Sequence, residues 1–258
     1  MRDQLVLMGT GDALGVPRVY CECEVCQEAR STGANRRMRC SALLRGGGSD
    51  LLIDCGPDWR LQMERIGLRH VERVLITHGH HDHIAGLPDL WDAVRWTGRP
   101  VEVMAPAPAL AEIQARFPWA VGGLNLVDLT AGASLLGWQV QAWEVNHGRN
   151  GRSFAFRFDR PGFAWAYCPD AIDLSPAQRA PLAGLDLLVL GTAYYEETAP
   201  RERRSLYSMV EALDLLAEVR PGRTVFTHLS HGVDSRSRYP LPDGVTVGHD
   251  GMVIQLGQ

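Results

Sequence analysis

The chain has 258 residues, of which 45% are hydrophobic and 22% charged, and its formal net charge is -4. This is ordinary globular composition, and it supplies no basic field for gripping nucleic acid. All 26 basic residues are arginine, and without lysine a Walker-type phosphate loop and any Schiff-base mechanism are excluded. No apolar run is long enough to span a bilayer. The opening Met1–Gly9 segment reads as a first strand rather than a secretory signal, so a cytoplasmic protein is expected.

Leu5-Val6-Leu7-Met8 is strand-like and runs into a glycine-rich turn from Gly9 to Pro17. Such a turn can hug a phosphate or simply reverse the chain; alone it favours the structural role. Cys21, Cys23 and Cys26 follow as C-x-C-x-x-C. That spacing suits one metal ion better than disulfide pairing, and reducing cytosol disfavours disulfides. Cys40, Cys55 and Cys168 lie in apolar stretches and read as buried small hydrophobes.

Cys40–Leu44 and Leu51–Gly56 read as strands, the second ending on Asp54. Trp59–Leu68 reads as a helix and Val71–Ile76 as a buried strand. Beyond the next motif, Leu87–Trp96 and Ala109–Phe117 are helical, with a strand at Val101–Met104 between them. Leu135–Asn146, Arg152–Phe158, Phe163–Cys168, Leu185–Leu190 and Arg223–Thr227 carry strand patterning. Ser208–Val219 is a helix with Met209, Leu213 and Leu216 on one face. Val245–Val247 and Met252–Ile254 predict a terminal hairpin around Asp250-Gly251. Alternating strands and helices without repeats or linkers predict one α/β domain over 1–258.

The chemistry concentrates in Thr77-His78-Gly79-His80-His81-Asp82-His83, an H-x-H-x-D-H pattern with His81 in a variable slot. Neutral imidazole and carboxylate are ligands that zinc and manganese accept, and Gly79 lets the backbone turn tightly. Three later residues, His147, Asp170 and His228, also follow strands directly. If those strand ends converge, the donors outnumber what one ion takes. They then imply two divalent ions, with Asp170 as the natural bridge. Paired ions ionise water and polarise a substrate oxygen, which is the chemistry of hydrolysis.

These residues resemble the metallo-β-lactamase fold superfamily. The resemblance implies a four-layer αββα sandwich with a dinuclear site on one edge. Further motifs are similar to the phosphoribosyl cyclic phosphate phosphodiesterases of the carbon–phosphorus lyase pathway. They are Gly9-Thr10-Gly11…Gly15-Val16-Pro17, the three thiols, Arg36-Arg37-x-x-Cys40-Ser41, Leu52-Ile53-Asp54, Asn146-His147, Thr227-His228-x-Ser230-His231 and Asp250-Gly251-Met252. The resemblance implies that His78, His80 and His147 hold one zinc or manganese ion. Asp82, His83 and His228 hold the other, with Asp170 between them. Asp54 steadies a ligand by hydrogen bonding. Cys21, Cys23, Cys26 and His231 hold a third, structural zinc.

One segment departs from the pattern. Where those phosphodiesterases carry D-x-S-H, this chain reads Gly191-Thr192-Ala193-Tyr194. A phenol has a reference pKa of about 10 against about 6.5 for imidazole, so it is the weaker acid near neutrality. Lactonases of the same fold use a tyrosine near the metals, so Tyr194 keeps a lactonase or other carbonyl-ester hydrolase as the alternative. An RNA-processing nuclease and a non-catalytic biosynthetic protein are weaker readings: no RNA-grasping arm is present and all seven donors are retained. The leading expectation is a phosphodiesterase for a small cyclic phosphate ester, with Asp170 and Tyr194 in catalytic roles. Arg36, Arg37, Arg39, Arg149 and Arg152 are candidates to hold phosphate. The expected partner is a small phosphorylated substrate, with neither nucleic acid nor membrane, and a homodimer is compatible with the chain.

Overall fold

The computed structural model describes residues 3–120 and 122–257. Met1 and Arg2, the start of the expected first strand, lie outside the described residues. In chain order the strands are β1 (Asp3–Gly9), β2 (Ser41–Gly46), β3 (Ser49–Ile53), β4 (Arg73–Leu75), β5 (Glu102–Ala105), β6 (Asn125–Asp128) and β7 (Ala133–Leu135). They continue as β8 (Trp138–Asn146), β9 (Arg152–Arg160), β10 (Phe163–Cys168), β11 (Leu187–Gly191), β12 (Arg223–Thr227), β13 (Val245–Val247) and β14 (Val253–Leu256). The helices are α1 (Glu24–Ser31), α2 (Trp59–Ile66), α3 (His81–Ile84), α4 (Leu87–Thr97), α5 (Ala107–Arg116), α6 (Pro176–Arg179) and α7 (Met209–Val219).

The strands form two mixed sheets in the orders β14-β1-β2-β3-β4-β5-β6 and β13-β12-β11-β10-β9-β8-β7. Alternation along each strand explains the layering. On β1, Leu5 and Leu7 join Trp138, Phe156, Trp165 and Val189 in a core between the sheets. Val6 and Met8 point the other way, packing with Met63, Leu87, Leu90 and Ile113 from α2, α4 and α5. On the second sheet, Leu188, Leu190 and Phe226 face Met209, Ala212, Leu215 and Leu216 of α7. Each fully buried large apolar side chain contributes about 1.5–3 kcal/mol of transfer free energy. Because both faces of these strands are covered, they read as continuous apolar runs. The result is the helix–sheet–sheet–helix sandwich expected from the sequence resemblance.

Three local expectations are corrected. The predicted terminal hairpin does not form: β13 runs parallel to β12 in the second sheet, whereas β14 pairs antiparallel with β1 in the first. The Gly248–Met252 link crosses between sheets. Buried Asp250 anchors it, accepting from Thr10 N, Thr10 Oγ1 and Met38 N at 2.8 Å each. Leu135–Asn146 is split into β7 and β8 by a turn at Leu136 (φ 51°) and Gly137 (φ 80°), the paired positive φ of a primed hairpin. Helical structure begins at His81, ahead of the helix expected from Leu87, so Asp82 and His83 sit on the single turn of α3.

Strands β3 to β6 run parallel to one another, as do β10 to β13. Their C-terminal ends therefore open at one edge of the sandwich, the usual place for a site in parallel sheets. Gly191 permits this crowding: a Cβ there would lie 1.6 Å from Pro169 O, beside Asp170.

Candidate metal centre

Every strand-end residue singled out in the sequence arrives at that edge. Asp54 follows β3, the histidine run follows β4, His147 follows β8, Asp170 follows β10 and His228 follows β12. Donor atoms cluster within 4.8 Å of one another in three groups: His78, His80 and His147; His78, His83 and Asp170; and Asp82, His83 and His228. Asp170 reaches across them. Its Oδ1 is 3.6 Å from His147 Nε2 and 3.3 Å from His228 Nε2, and its Oδ2 is 3.1 Å from His83 Nε2. Asp82 Oδ2 is 3.2 Å from His83 Nε2 and 3.3 Å from His228 Nε2.

The surrounding hydrogen bonds select which ring nitrogens face inward. His83 Nδ1 donates to Asp54 Oδ2 at 2.8 Å, and His147 Nδ1 donates to Ser205 O at 2.9 Å. Thr77 N and Oγ1 donate to Asp54 Oδ1 at 2.9 Å, leaving Thr77 Oγ1 to accept from His78 Nδ1 at 3.1 Å. One buried carboxylate, Asp54, thus fixes His83 directly and His78 through Thr77. Asp54 and His228 both hold positive φ, 62° and 59°, a costly backbone for non-glycine residues that clusters at functional sites. Asp54→Asn is expected to weaken cation binding about 10–100-fold, the usual cost of losing an outer carboxylate partner. Competition titration with a chromophoric chelator measures it.

This arrangement fits a cation pair. His83 Nε2 and Asp170 Oδ2 are buried and make no hydrogen bond among the described residues, although 3.1 Å separates them. His78 Nε2 and His80 Nδ1 face each other at 2.8 Å. Lone pairs converging in this way suit a shared metal. Burial pushes His78, His80 and His147 below the ordinary imidazole range, which keeps them neutral. Burial would raise Asp82 and Asp170, but the facing histidines overcome it and hold both well below the usual carboxylate range. Burial likewise opposes protonation of His83 and His228, yet the carboxylates win. His83 is raised, and His228 is pushed up to about 9. A cation displaces those protons as it binds.

The thiols form a second cluster. Sγ of Cys21, Cys23 and Cys26 lie 3.3, 3.5 and 3.6 Å from His231 Nδ1. Three thiols and one imidazole are a closed tetrahedral zinc set. His231 follows His228 by one short step, so the loop after β12 serves both clusters. Cys40, Cys55 and Cys168 are buried as expected, with Cys40 Sγ 3.1 Å from Tyr167 Oη.

The expected phosphate-holding arginines are elsewhere. Arg37 is buried and donates to Val233 O at 2.8 Å; Arg39 pairs with Asp58 at 3.2 Å; Arg36 donates to Ala29 O at 3.1 Å. Arg152 pairs with Glu144 at 3.8 Å, and Arg149 is absent from the cavity wall. A cavity of about 280 Å³ opens over the histidine–aspartate cluster, and its arginines are Arg18, Arg203 and Arg204. Arg18 sits in an irregular loop and Arg203 and Arg204 at the end of a single 3-10 turn, where no periodicity or spacing marks them. Tyr194 lines the same cavity, its ring seated on Gly232, where a Cβ would lie 2.4 Å from Tyr194 Cδ1. The Tyr194 hydroxyl has no hydrogen-bond partner among the described residues.

Arg204 is held by Glu211, which also accepts from Ser208 N at 2.9 Å as part of the α7 capping box. This pins the loop whose Ser205 carbonyl orients His147. Partial burial would raise the Glu211 carboxyl, but Arg204 and Ser208 hold it down at about 2, against an ordinary 4.5. A depressed acid stabilises above its ordinary pKa and loses that contribution as pH falls through the folded value. The Tm gap between wild type and Glu211→Gln should therefore be full at neutral pH and shrink as pH falls from about 4.5 towards 2. Thermal melts across that window check it.

The Beta-lactamase superfamily domain family matches residues 50–229. A crystal structure described as a new diphosphatase from the PhnP family superposes with TM-score 0.86 at 27% identity, covering 100% of this chain and 99% of that one. Coenzyme PQQ synthesis protein B of Methylobacterium radiotolerans is 28% identical over 98% of this chain and 100% of its own length. The octanoyltransferase of Porphyromonas gingivalis is 27% identical over 96% of this chain, which spans only 50% of that protein. With the sandwich, the strand-end donors and a family match over most of its length, the chain belongs to the metallo-β-lactamase superfamily, a family of metal-dependent hydrolases.

Proposed function

We propose that this protein is a dinuclear metal-dependent phosphodiesterase for a small phosphate ester, built as one domain over 1–258. The observation that carries this reading is the cavity wall: Arg18 and Arg203 stand beside the histidine–aspartate cluster, with Arg204 held by Glu211 next to them. Guanidinium groups suit phosphate oxygens. The similar diphosphatase structure supports the same direction.

The ions are two divalent cations, zinc or manganese, held by His78, His80, His147, Asp82, His83, His228 and Asp170, with a structural zinc at the thiols. When bound, the pair lowers the pKa of water and offsets negative charge on the reacting centre. The protein's residues do the rest. Asp170 stands between the two trios, its Oδ1 near His147 and His228 and its Oδ2 near His83. Asp54 keeps His83 and His78 in the tautomers that point inward. The Tyr194 hydroxyl is free to donate a hydrogen bond to the leaving oxygen, in the place of the missing family histidine.

The test is a screen of protein reconstituted with Mn²⁺ or Zn²⁺ against bis(p-nitrophenyl) phosphate, cyclic phosphate esters and a lactone set. Turnover of phosphodiesters supports the reading; turnover of lactones alone contradicts it.

A further inference from the structure

We infer that Arg18 is a specificity-determining residue that holds an anionic oxygen of the substrate, and that the thiol–histidine cluster sets its position. Arg18 sits at the seam between the two clusters. Arg18 lines the cavity with His80, Asp82, Asp170 and His228. The side chain is only 15% exposed, and its head is fixed on three sides. Nη2 donates to Asp12 Oδ2 at 2.6 Å and to Ser230 Oγ at 3.1 Å, while Nη1 lies 2.9 Å from His231 Nε2. One N–H of Nη1 has no partner among the described residues.

The backbone of Arg18 is tied to the thiols. Arg18 N donates to Cys26 Sγ at 3.4 Å, and Arg30 clamps the carbonyls of Arg18 and Cys21 at 2.7 Å each. The chain before it is stitched to the loop after β12, with Asp12 N donating to Leu229 O at 3.1 Å. Both the head and the base of Arg18 are therefore held by residues 228–231 and the cysteine loop. A guanidinium held this way loses little rotamer freedom when it engages an oxyanion, which is how preorganised contacts gain affinity. Arg204, by contrast, spends its guanidinium on Glu211.

This inference rests on the phosphodiesterase reading only for the identity of the anion, and its first test does not need turnover. Calorimetric titration of inorganic phosphate into metal-analysed protein reads the site directly. Arg18→Ala should weaken phosphate binding about tenfold or more, as loss of a charge-assisted hydrogen bond does, and Arg18→Lys should recover part of it. Cys23→Ser should weaken it less, and adding Cys23→Ser to Arg18→Ala should cost little more, because the thiol cluster acts through Arg18. Where turnover is found, Arg18→Ala should lower kcat/KM for bis(p-nitrophenyl) phosphate at least tenfold more than for the neutral p-nitrophenyl acetate. Phosphate affinity unchanged in Arg18→Ala, no phosphate binding by wild type, or equal losses on both esters would overturn the inference. Full additivity of the two substitutions would overturn the positioning role of the thiols. Failure of every phosphodiester in the screen, with phosphate binding still dependent on Arg18, would sink the proposed reaction and leave this inference standing.

Discussion

If the proposed reaction holds, Asp170→Ala is expected to lower its turnover by about a thousandfold or more and to break the proposed cation pair, leaving at most one ion in the cavity. The size follows from what the pair supplies. Stabilising transition-state charge and ionising water contribute several kcal/mol, and each 1.36 kcal/mol is a factor of ten in rate. Among the described residues, Asp170 is the one carboxylate within 3.6 Å of His147 and within 3.3 Å of both His83 and His228. Removing it also leaves those two buried, proton-attracting imidazoles with less counter-charge. Metal analysis and single-substrate kinetics on the purified variant measure both effects. Wild-type rates with a full metal complement would show that Asp170 is only a neighbour of the site.

Cys23→Ser is expected to remove one ion and to destabilise the fold, while leaving the two cavity ions in place. The cluster of Cys21, Cys23, Cys26 and His231 ties α1 and the loop before it to the loop after β12. The apolar packing of that corner is small: Val16, Cys26 and Ala29, with Cys21 and Val25 packed against them. A small apolar core stapled by a metal depends on the metal for its folding free energy. A loss of about 3 kcal/mol would lower Tm by roughly 6–12 °C in a domain of this size. Metal content falling from three ions to two, with the lower Tm, is the expected signature. Loss of all three ions would mean that the two clusters are not separate sites.

The site was legible where its chemistry is local or tied to strand ends. His78, His80, Asp82 and His83 lie within one turn of chain, so their meeting requires only a tight loop at Gly79. His147, Asp170, His228 and Asp54 could be found because apolar strands ending on a donor residue announce themselves. The layered fold followed from the same strands, since burial on both faces removes polar alternation. Other parts depend on long-range closure and leave no local pattern. Arg18 reaches the cavity from an irregular loop and Arg203 from a single 3-10 turn, whereas the conspicuous arginine run from Arg36 to Arg39 holds the loop after α1 and the chain around Asp58. The Gly248–Met252 link looks like a hairpin turn locally. Its crossing between sheets is set by Asp250 bonding to Thr10, far away in the chain. The edge strand β6 was missed because its exposed and half-buried residues carry weak patterning.

The most direct test of the whole account is anomalous diffraction from crystals of the metal-loaded protein at the zinc and manganese edges. Two peaks about 3.5–4 Å apart, flanking Asp170 and contacted by His78, His80, His147, Asp82, His83 and His228, with a third peak among the thiols, are predicted. A single peak in the cavity, or a pair held by other residues, would contradict it.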